Sequence, residues 1–433
     1  MRDARGAAVM GGATLDDLFE SHARDDGTPC FKTPAYVYDL DGISASAAEF
    51  IAGFGAVSHL VAYALKASTS GPIVRALSDV GCGATVVSGG ELSVALASGI
   101  PAEKIVFNGV AKQDWEIDLA IGTGTRGILG LHVESVEEVE RVRARARALG
   151  RRARVGIRVN PDIEADTHQK VATGHDEAKF GVPVEDLALA WEEISTAPEL
   201  DLVGLSCHIG SQLTQTTEML RSVELLLGMA REREVSGGRL EYLDFGGGFG
   251  IDYGGMREPP PPPAAFAAAI ARRVADSAFA DRLVVVEPGR CLVAPHGVLC
   301  ASVVLAKRTR AAVVPRRWLV LDTGMNDLVR PAMYGAHHRV EPMRAAPPGP
   351  GEGLPFRVVG PVCESSDDFG EHRFTEPLPS RVLLRDAGAY GFTMASEYNG
   401  RPLPTEIFLS KGVVSAARRP RLVEGWVDEQ IRM

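Results

Sequence analysis

The chain has 433 residues, 45% of them hydrophobic and 24% charged, enough to bury a large core in one unit or in several. Forty-six basic residues against 56 acidic ones leave a formal charge of −10, which argues against nucleic acid as a partner. The N-terminus mixes Arg2, Asp3, Arg5, Asp16 and Asp17 with no long apolar run, so neither a signal peptide nor a membrane anchor is expected.

The six cysteines, at 30, 82, 207, 291, 300 and 363, lack CxxC spacing. They read as free thiols of a reducing, cytoplasmic compartment, not as a disulfide framework or a structural zinc site.

In chain order, the first β-prone run is Ala35–Asp39. Eight more follow with helical stretches between them: Val61–Leu65, Ala84–Val87, Ile105–Phe107, Gly127–Leu131, Val155–Val159, Leu202–Cys207, Tyr242–Phe245 and Leu283–Val286. The alternation predicts an eight-stranded parallel (β/α)8 barrel, although a doubly wound sheet gives the same local pattern. What favours the barrel is the residue after each run: Lys66, Ser88, Asn108, His132, Asn160, His208, Gly246 and Glu287. Barrel enzymes build their sites from that rim.

Beyond residue 290 the helical stretches thin out. Val298–Leu305, Trp318–Asp322, Phe356–Val359, Val382–Arg385 and Glu406–Leu409 predict strands of a second, mostly β domain. Ala35–Asp39 is expected to join its sheet. The expected division is 1–44 as an N-terminal segment of the β domain, 45–290 as the barrel and 291–433 as the C-terminal β domain. Pro-rich 259–264 and the stretch 347–353 read as exposed loops.

Read one at a time, the reactive residues leave alternatives open. Lys66 ends a strand, either snorkelling to water or lying in a partly desolvated pocket as a nucleophilic amine. The run Asp244-Phe-Gly-Gly-Gly-Phe-Gly250 is either a tight turn or an anion cradle of backbone N–H groups, and it is not a dinucleotide fingerprint. In Glu287-Pro-Gly-Arg290 the guanidinium suits a carboxylate or a phosphate, or a plain surface ion pair. His208, in Cys207-His-Ile-Gly-Ser-Gln212, has no spaced partners for zinc and reads as a satisfied polar residue or a site residue, with Gly210 and Ser211 as further phosphate donors. Cys363 beside Glu364 is a proton donor or a buried thiol.

Together these segments resemble the pyridoxal-phosphate-dependent diaminopimelate decarboxylases, within the alanine-racemase-like barrel decarboxylases. The landmarks are Thr33-Pro-Ala-Tyr-Val-Tyr-Asp39, Tyr63-Ala-Leu-Lys-Ala67, Val87-Ser-Gly-Gly-Glu91, Thr173-Gly174 and Lys179-Phe-Gly181. His208-Ile-Gly-Ser-Gln212, Gly246-Gly-Gly248 and Glu287-Pro-Gly-Arg290 follow, then Asp322 to Leu328, Arg330 to Tyr334, Cys363-Glu364-Ser365, Gly388-Ala-Tyr390 and Tyr398-Asn399.

The resemblance implies a fold type III enzyme, a carboxy-lyase that converts meso-2,6-diaminopimelate to L-lysine and carbon dioxide, the last step of lysine biosynthesis. It implies that Lys66 holds pyridoxal phosphate as a Schiff base, that His208 lies against the ring and that Glu287 pairs with the pyridine nitrogen. Ser211, Gly246, Gly247, Gly248, Gly289 and Tyr390 gather around the phosphate. Arg290, Arg330, Tyr334 and Glu364 recognise substrate, and Cys363 donates the proton. No metal is implied. A homodimer is, with Cys363 and Glu364 entering the partner's site.

Three positions depart from the family pattern: Leu65 stands where Val is commoner, Ser68 where Asn is usual, and Ser366 where Gly is. The competing readings are a decarboxylase of lysine, ornithine or arginine, a catalytically silent pyridoxal-phosphate-binding regulator and, further off, an alanine racemase.

Overall fold

The structure is a computed structural model and describes residues 2–4, 6–20, 31–161, 179–235, 237–254, 256–310, 313–345 and 353–432. The Thr173-Gly174 landmark, Cys30 and most of the 347–353 stretch lie outside the described residues. Two compact units divide the chain. One is Ser44–Ile251 with Glu258–Leu292; the other is Met1–Ile43 with Asp252–Arg257 and Val293–Met433.

The first unit is a closed parallel barrel. Its strands are His59–Ala64, Gly83–Val86, Ile105–Phe107, Gly130–Val133, Ala153–Asn160, Leu200–Cys207, Tyr242–Asp244 and Leu283–Val286, each paired in parallel with the next. The eighth closes on the first, Val285 opposite Leu60. Short runs of Val, Ile, Leu and Ala form these strands because both faces are buried, one in the barrel and one under helices. Leu60, Ala62, Val106, Leu129, Val203, Tyr242 and Val285 share one core cluster.

The helices between strands carry ordinary stop and start signals. Val136–Leu149 begins at Ser135, whose side chain accepts from Glu138 N, and ends at Gly150 in the left-handed region (φ 61°). Among the described residues no helix is long and apolar enough to cross a membrane.

Sequence and structure differ at the fourth strand. The apolar run Gly127–Leu131 is not the strand; Gly127 turns at φ 81° and pairing begins at Gly130. His132, expected after the strand, is therefore inside it and fully buried in the barrel.

The second unit is mostly sheet. Gly297–Arg308 is its spine: residues 297–300 pair with Ala35–Tyr38, 299–302 with Arg381–Leu384 and 303–308 with Arg317–Leu321. The early strand Ala35–Asp39 does join this sheet, between the spine and Thr405–Ser410. Five strands of this unit escape prediction: Val9–Met10, Ala13–Thr14, Val340–Pro342, Asp368–Phe374 and Val413–Arg418. Asp368–Phe374 sets Asp, Glu, His and Arg around its two phenylalanines, so its mean hydropathy is low, and Val413–Arg418 has no buried position. Val37, Val298, Cys300, Leu383, Ile407 and Leu409 anchor the core of this unit.

Candidate active site

The barrel brings three of the reactive residues to one rim. Lys66 lies in the single turn Leu65–Ala67 directly after the first strand, His208 follows the sixth and Glu287 follows the eighth. Because the strands are parallel and the barrel is closed, these C-terminal ends share one face.

Lys66 is exposed on that rim. Its positive charge reaches two neighbours. Burial holds the His208 imidazole well below its usual pKa, and the charges of Lys66 and Arg158 push it the same way. Burial raises the Glu91 carboxyl, opposed by the hydrogen bond from Val87 N and by the attraction of Lys66. His208 is neutral, and its tautomer is fixed: Gly247 N donates to His208 Nδ1 at 3.1 Å, so the ring proton sits on Nε2.

The glycines 246–248 are required for close approach. An ideal Cβ at Gly246 would stand 2.5 Å from Cys207 O, and one at Gly247 2.3 Å from Glu287 O. Their backbone donors are partly committed, since Gly246 N donates to Asp244 Oδ1 at 2.9 Å and Gly247 N to His208. On the same rim Arg290 Nη2 donates to Ser211 Oγ at 2.9 Å. The amide of Gln212 (φ 66°) bridges to Ile251, fixing the Ser211 loop. Gly289 abuts the turn that carries Lys66, its Cβ position 3.1 Å from Ala67 Cβ. Ser68 is buried and its hydroxyl has no hydrogen-bond partner among the described residues.

Glu287 Oε1 accepts from Thr85 Oγ1 at 2.8 Å and from Asn108 Nδ2 at 2.6 Å. Beside it Asp244 is fully buried, and burial first, then the charge of Glu287, raises its pKa well above the usual carboxylate range. A carboxylate half-buried between donors suits a protonated ring nitrogen; a small-turn cradle with Ser211 suits a phosphate. The residues present fit pyridoxal phosphate.

The second unit holds the remaining candidates. Arg330 is 5% exposed, its Nη1 at 2.8 Å from His338 Nε2 and its guanidinium 4.6 Å from the Tyr253 ring centroid. His338 Nδ1 lies 2.8 Å from Arg385 O, a pure acceptor, so Nδ1 carries the proton and Nε2 receives from Arg330. Sequence reading missed His338 and Tyr253, which orient this cation; neither lies in a motif. Tyr334 is half-buried at the end of the short helix Arg330–Tyr334, and Tyr390 sits at φ 56°, a left-handed backbone that few aromatic residues adopt.

Cys363 and Glu364 are exposed and held in place by the Tyr398-Asn399 pair. Asn399 Oδ1 accepts from Cys363 N at 2.9 Å, and Tyr398 donates to Glu364 Oε1 at 2.6 Å. Asp367 accepts from Val362 N at 2.6 Å and from Met325 N at 2.7 Å, closing the turn and tying it to the segment of Met325. A cavity of about 410 Å3 opens beside Tyr398, lined by Met325, Asn326, Val329, Met394 and Ser396. Ser366 reaches Met325 Sδ at 3.5 Å.

Among the five described cysteines Cys363 alone is exposed. Burial raises the other four thiols, those of Cys82, Cys207 and Cys291 to about 12 and that of Cys300 further. Alkylation of the native protein near pH 8, mapped by peptide mass spectrometry, should therefore modify Cys363 first and leave the other four until unfolding. Equal labelling of Cys207 and Cys363 would contradict that burial.

Three comparisons bear on this arrangement. Residues 40–294 match the family model described as "Pyridoxal-dependent decarboxylase, pyridoxal binding domain". A diaminopimelate decarboxylase of Zymomonas mobilis is 37% identical over 406 residues, covering 92% of this chain and 93% of that protein. The crystal structure of diaminopimelate decarboxylase from Helicobacter pylori complexed with L-lysine superposes with a TM-score of 0.85 at 33% identity, over 97% of this chain and all of that one. A lysine/ornithine decarboxylase from Vibrio vulnificus, at 22% identity and TM-score 0.73 over 88% of this chain and 95% of that one, shares the fold.

Proposed function

This chain belongs to the diaminopimelate decarboxylase family of the pyridoxal-dependent decarboxylases, and from that membership we propose a division of labour among its residues. The reaction is the decarboxylation of diaminopimelate to lysine. The observation that carries the assignment of roles is the placement of Lys66, His208 and Glu287 at the ends of three strands of one barrel.

Pyridoxal phosphate, when bound, supplies an electron sink for the pair that carbon dioxide leaves behind on carbon. Lys66 holds it covalently through its amine. Neutral His208 offers an imidazole face to its ring, and Glu287 holds a proton on the ring nitrogen. Ser211, Gly246, Gly247, Gly248, Gly289 and Tyr390 receive the phosphate. For Gly246 and Gly247 the contribution is chiefly the close approach of backbone, since their N–H groups already serve Asp244 and His208.

The substrate has an amino acid head at each end. Arg290 and Arg330 are suited to the distal carboxylate because a guanidinium fork matches a planar carboxylate with two parallel hydrogen bonds. His338 and the Tyr253 ring hold the Arg330 fork in one orientation. Glu364, with Tyr334, suits the distal ammonium. Lysine or ornithine would leave that buried guanidinium without its anion, a loss of about 1–3 kcal/mol or more. Cys363 then returns a proton to the carbon that lost carbon dioxide. We place the reaction at the D-configured centre of the meso isomer, in a cytoplasmic homodimer whose sites are shared.

Purified protein loaded with pyridoxal phosphate should release carbon dioxide from meso-diaminopimelate and form lysine, and should leave lysine, ornithine and arginine essentially untouched. Faster release from any of those three would point to a different basic amino acid as substrate. No release from any of them, with the visible absorption of bound cofactor intact, would mark a silent binder.

A further inference from the structure

Below the rim the barrel holds a buried polar chain to which the roles above assign nothing. It starts at Tyr242, fully buried on the seventh strand. Three neighbouring strands give up side chains to admit this phenol. An ideal Cβ at Gly130 would stand 1.9 Å from Tyr242 Oη, one at Gly156 2.7 Å from Oη, and one at Gly204 2.2 Å from Cζ. A glycine inside a strand weakens it, and three facing one ring mark a slot built for that ring.

The hydroxyl lies 2.6 Å from His132 Nε2, and His132 Nδ1 lies 2.9 Å from Asn108 Oδ1. Asn108 Nδ2 is 2.6 Å from Glu287 Oε1 and 3.0 Å from Thr85 Oγ1. The direction of these bonds follows from donor inventory. Asn108 must present its NH2 group to Glu287, because a flipped amide would set two bare oxygens against each other. Its carbonyl oxygen then only accepts, so His132 carries its proton on Nδ1, and Nε2 accepts a hydrogen bond from the Tyr242 hydroxyl. Both ring nitrogens of His132 are thereby committed. That argues against a metal ion at His132, Asp244 and Glu287, whose ligand atoms lie within 4.8 Å of one another.

We propose that Tyr242, His132 and Asn108 are positioning residues, a one-way hydrogen-bonded chain whose donors all point at Glu287 and fix it as a carboxylate that accepts. The proposal rests on the reading of Glu287 as partner of the cofactor's ring nitrogen. Two further facts agree with it. Burial lowers the His132 pKa to about 3, so the imidazole stays neutral and the chain keeps one polarity. Burial first, and then the charge of Glu287, push Asp244 toward its neutral form.

The test has two arms. In apoprotein labelled with 15N-histidine, His132 should show the tautomer protonated on Nδ1; protonation on Nε2 instead overturns the direction of the chain whatever Glu287 does. In the second arm pyridoxal phosphate is titrated into the apo forms of wild type, Glu287→Gln and Asn108→Leu, and binding is read from visible absorption. Asn108→Leu should weaken binding about tenfold, the scale of one lost hydrogen bond to a charged group. Tyr242→Phe, which removes one oxygen and serves if Asn108→Leu does not fold, should weaken it a few-fold. If Glu287→Gln weakens binding while Asn108→Leu and Tyr242→Phe leave it unchanged, the chain is structural and the proposal falls, with the reading of Glu287 intact. If Glu287→Gln itself changes neither affinity nor the absorption band, the reading of Glu287 falls, and the proposal with it.

Discussion

Lys66→Ala should abolish covalent retention of pyridoxal phosphate and lower decarboxylation roughly a thousandfold or more. After gel filtration the variant should lose the visible absorption band that the wild type keeps. Borohydride reduction should leave its mass without the cofactor increment. The amine stands at the C-terminal end of a barrel strand, exposed to an incoming aldehyde, on the rim that carries His208 and Glu287. A second signature follows from the charges. Lys66 pushes the His208 pKa down and pulls the Glu91 carboxyl down. Removing the cation should let both rise, an effect that NMR titration of His208 can read in the apoprotein. Unchanged covalent loading of Lys66→Ala, with the cofactor found on another lysine, would sink the assignment.

Why Lys66 could be picked out of the sequence, and other residues could not, is a matter of range. Strand-end residues are legible because apolar runs of four to eight residues mark the strands and the next position falls on the rim. That logic located Lys66, His208 and Glu287 and failed at His132, where Gly-Ile-Leu-Gly reads as strand before pairing begins. The strand glycines 130, 156 and 204 were visible as letters, but their common cause, the Tyr242 ring, comes from a fourth strand. His338 orients Arg330 from eight residues away, with the proton order set by Arg385 O, and no local spacing announces such a relay. The strand Asp368–Phe374 was invisible for a different reason. It alternates half-buried and exposed positions in Asp-Phe-Gly-Glu-His-Arg-Phe, and its pairing with Leu354–Val359 supplies the strand character that composition withholds.

The turn carrying Cys363 shows how such long-range order prepares a chemical group. Asp367 pins Val362 and Met325, Asn399 holds Cys363 N, and Tyr398 holds Glu364, so the thiol projects from a turn fixed at several points. Cys363→Ala should then leave pyridoxal phosphate loading within about twofold of wild type and lower turnover by roughly a hundredfold to ten-thousandfold, the range for loss of a positioned proton donor. KM should change little, because the role proposed for the thiol falls after carbon dioxide departs. Equal loss of loading and turnover would contradict a late proton transfer. The same variant tests whether sites are shared. In a hybrid of one Lys66→Ala subunit and one Cys363→Ala subunit, exchange of Cys363 between sites leaves one site with both residues intact. Random mixing should then restore about a quarter of wild-type activity from two inactive parents, because half the dimers are hybrid and half their sites are whole. If each subunit uses its own Cys363, every site lacks one residue and mixing restores nothing.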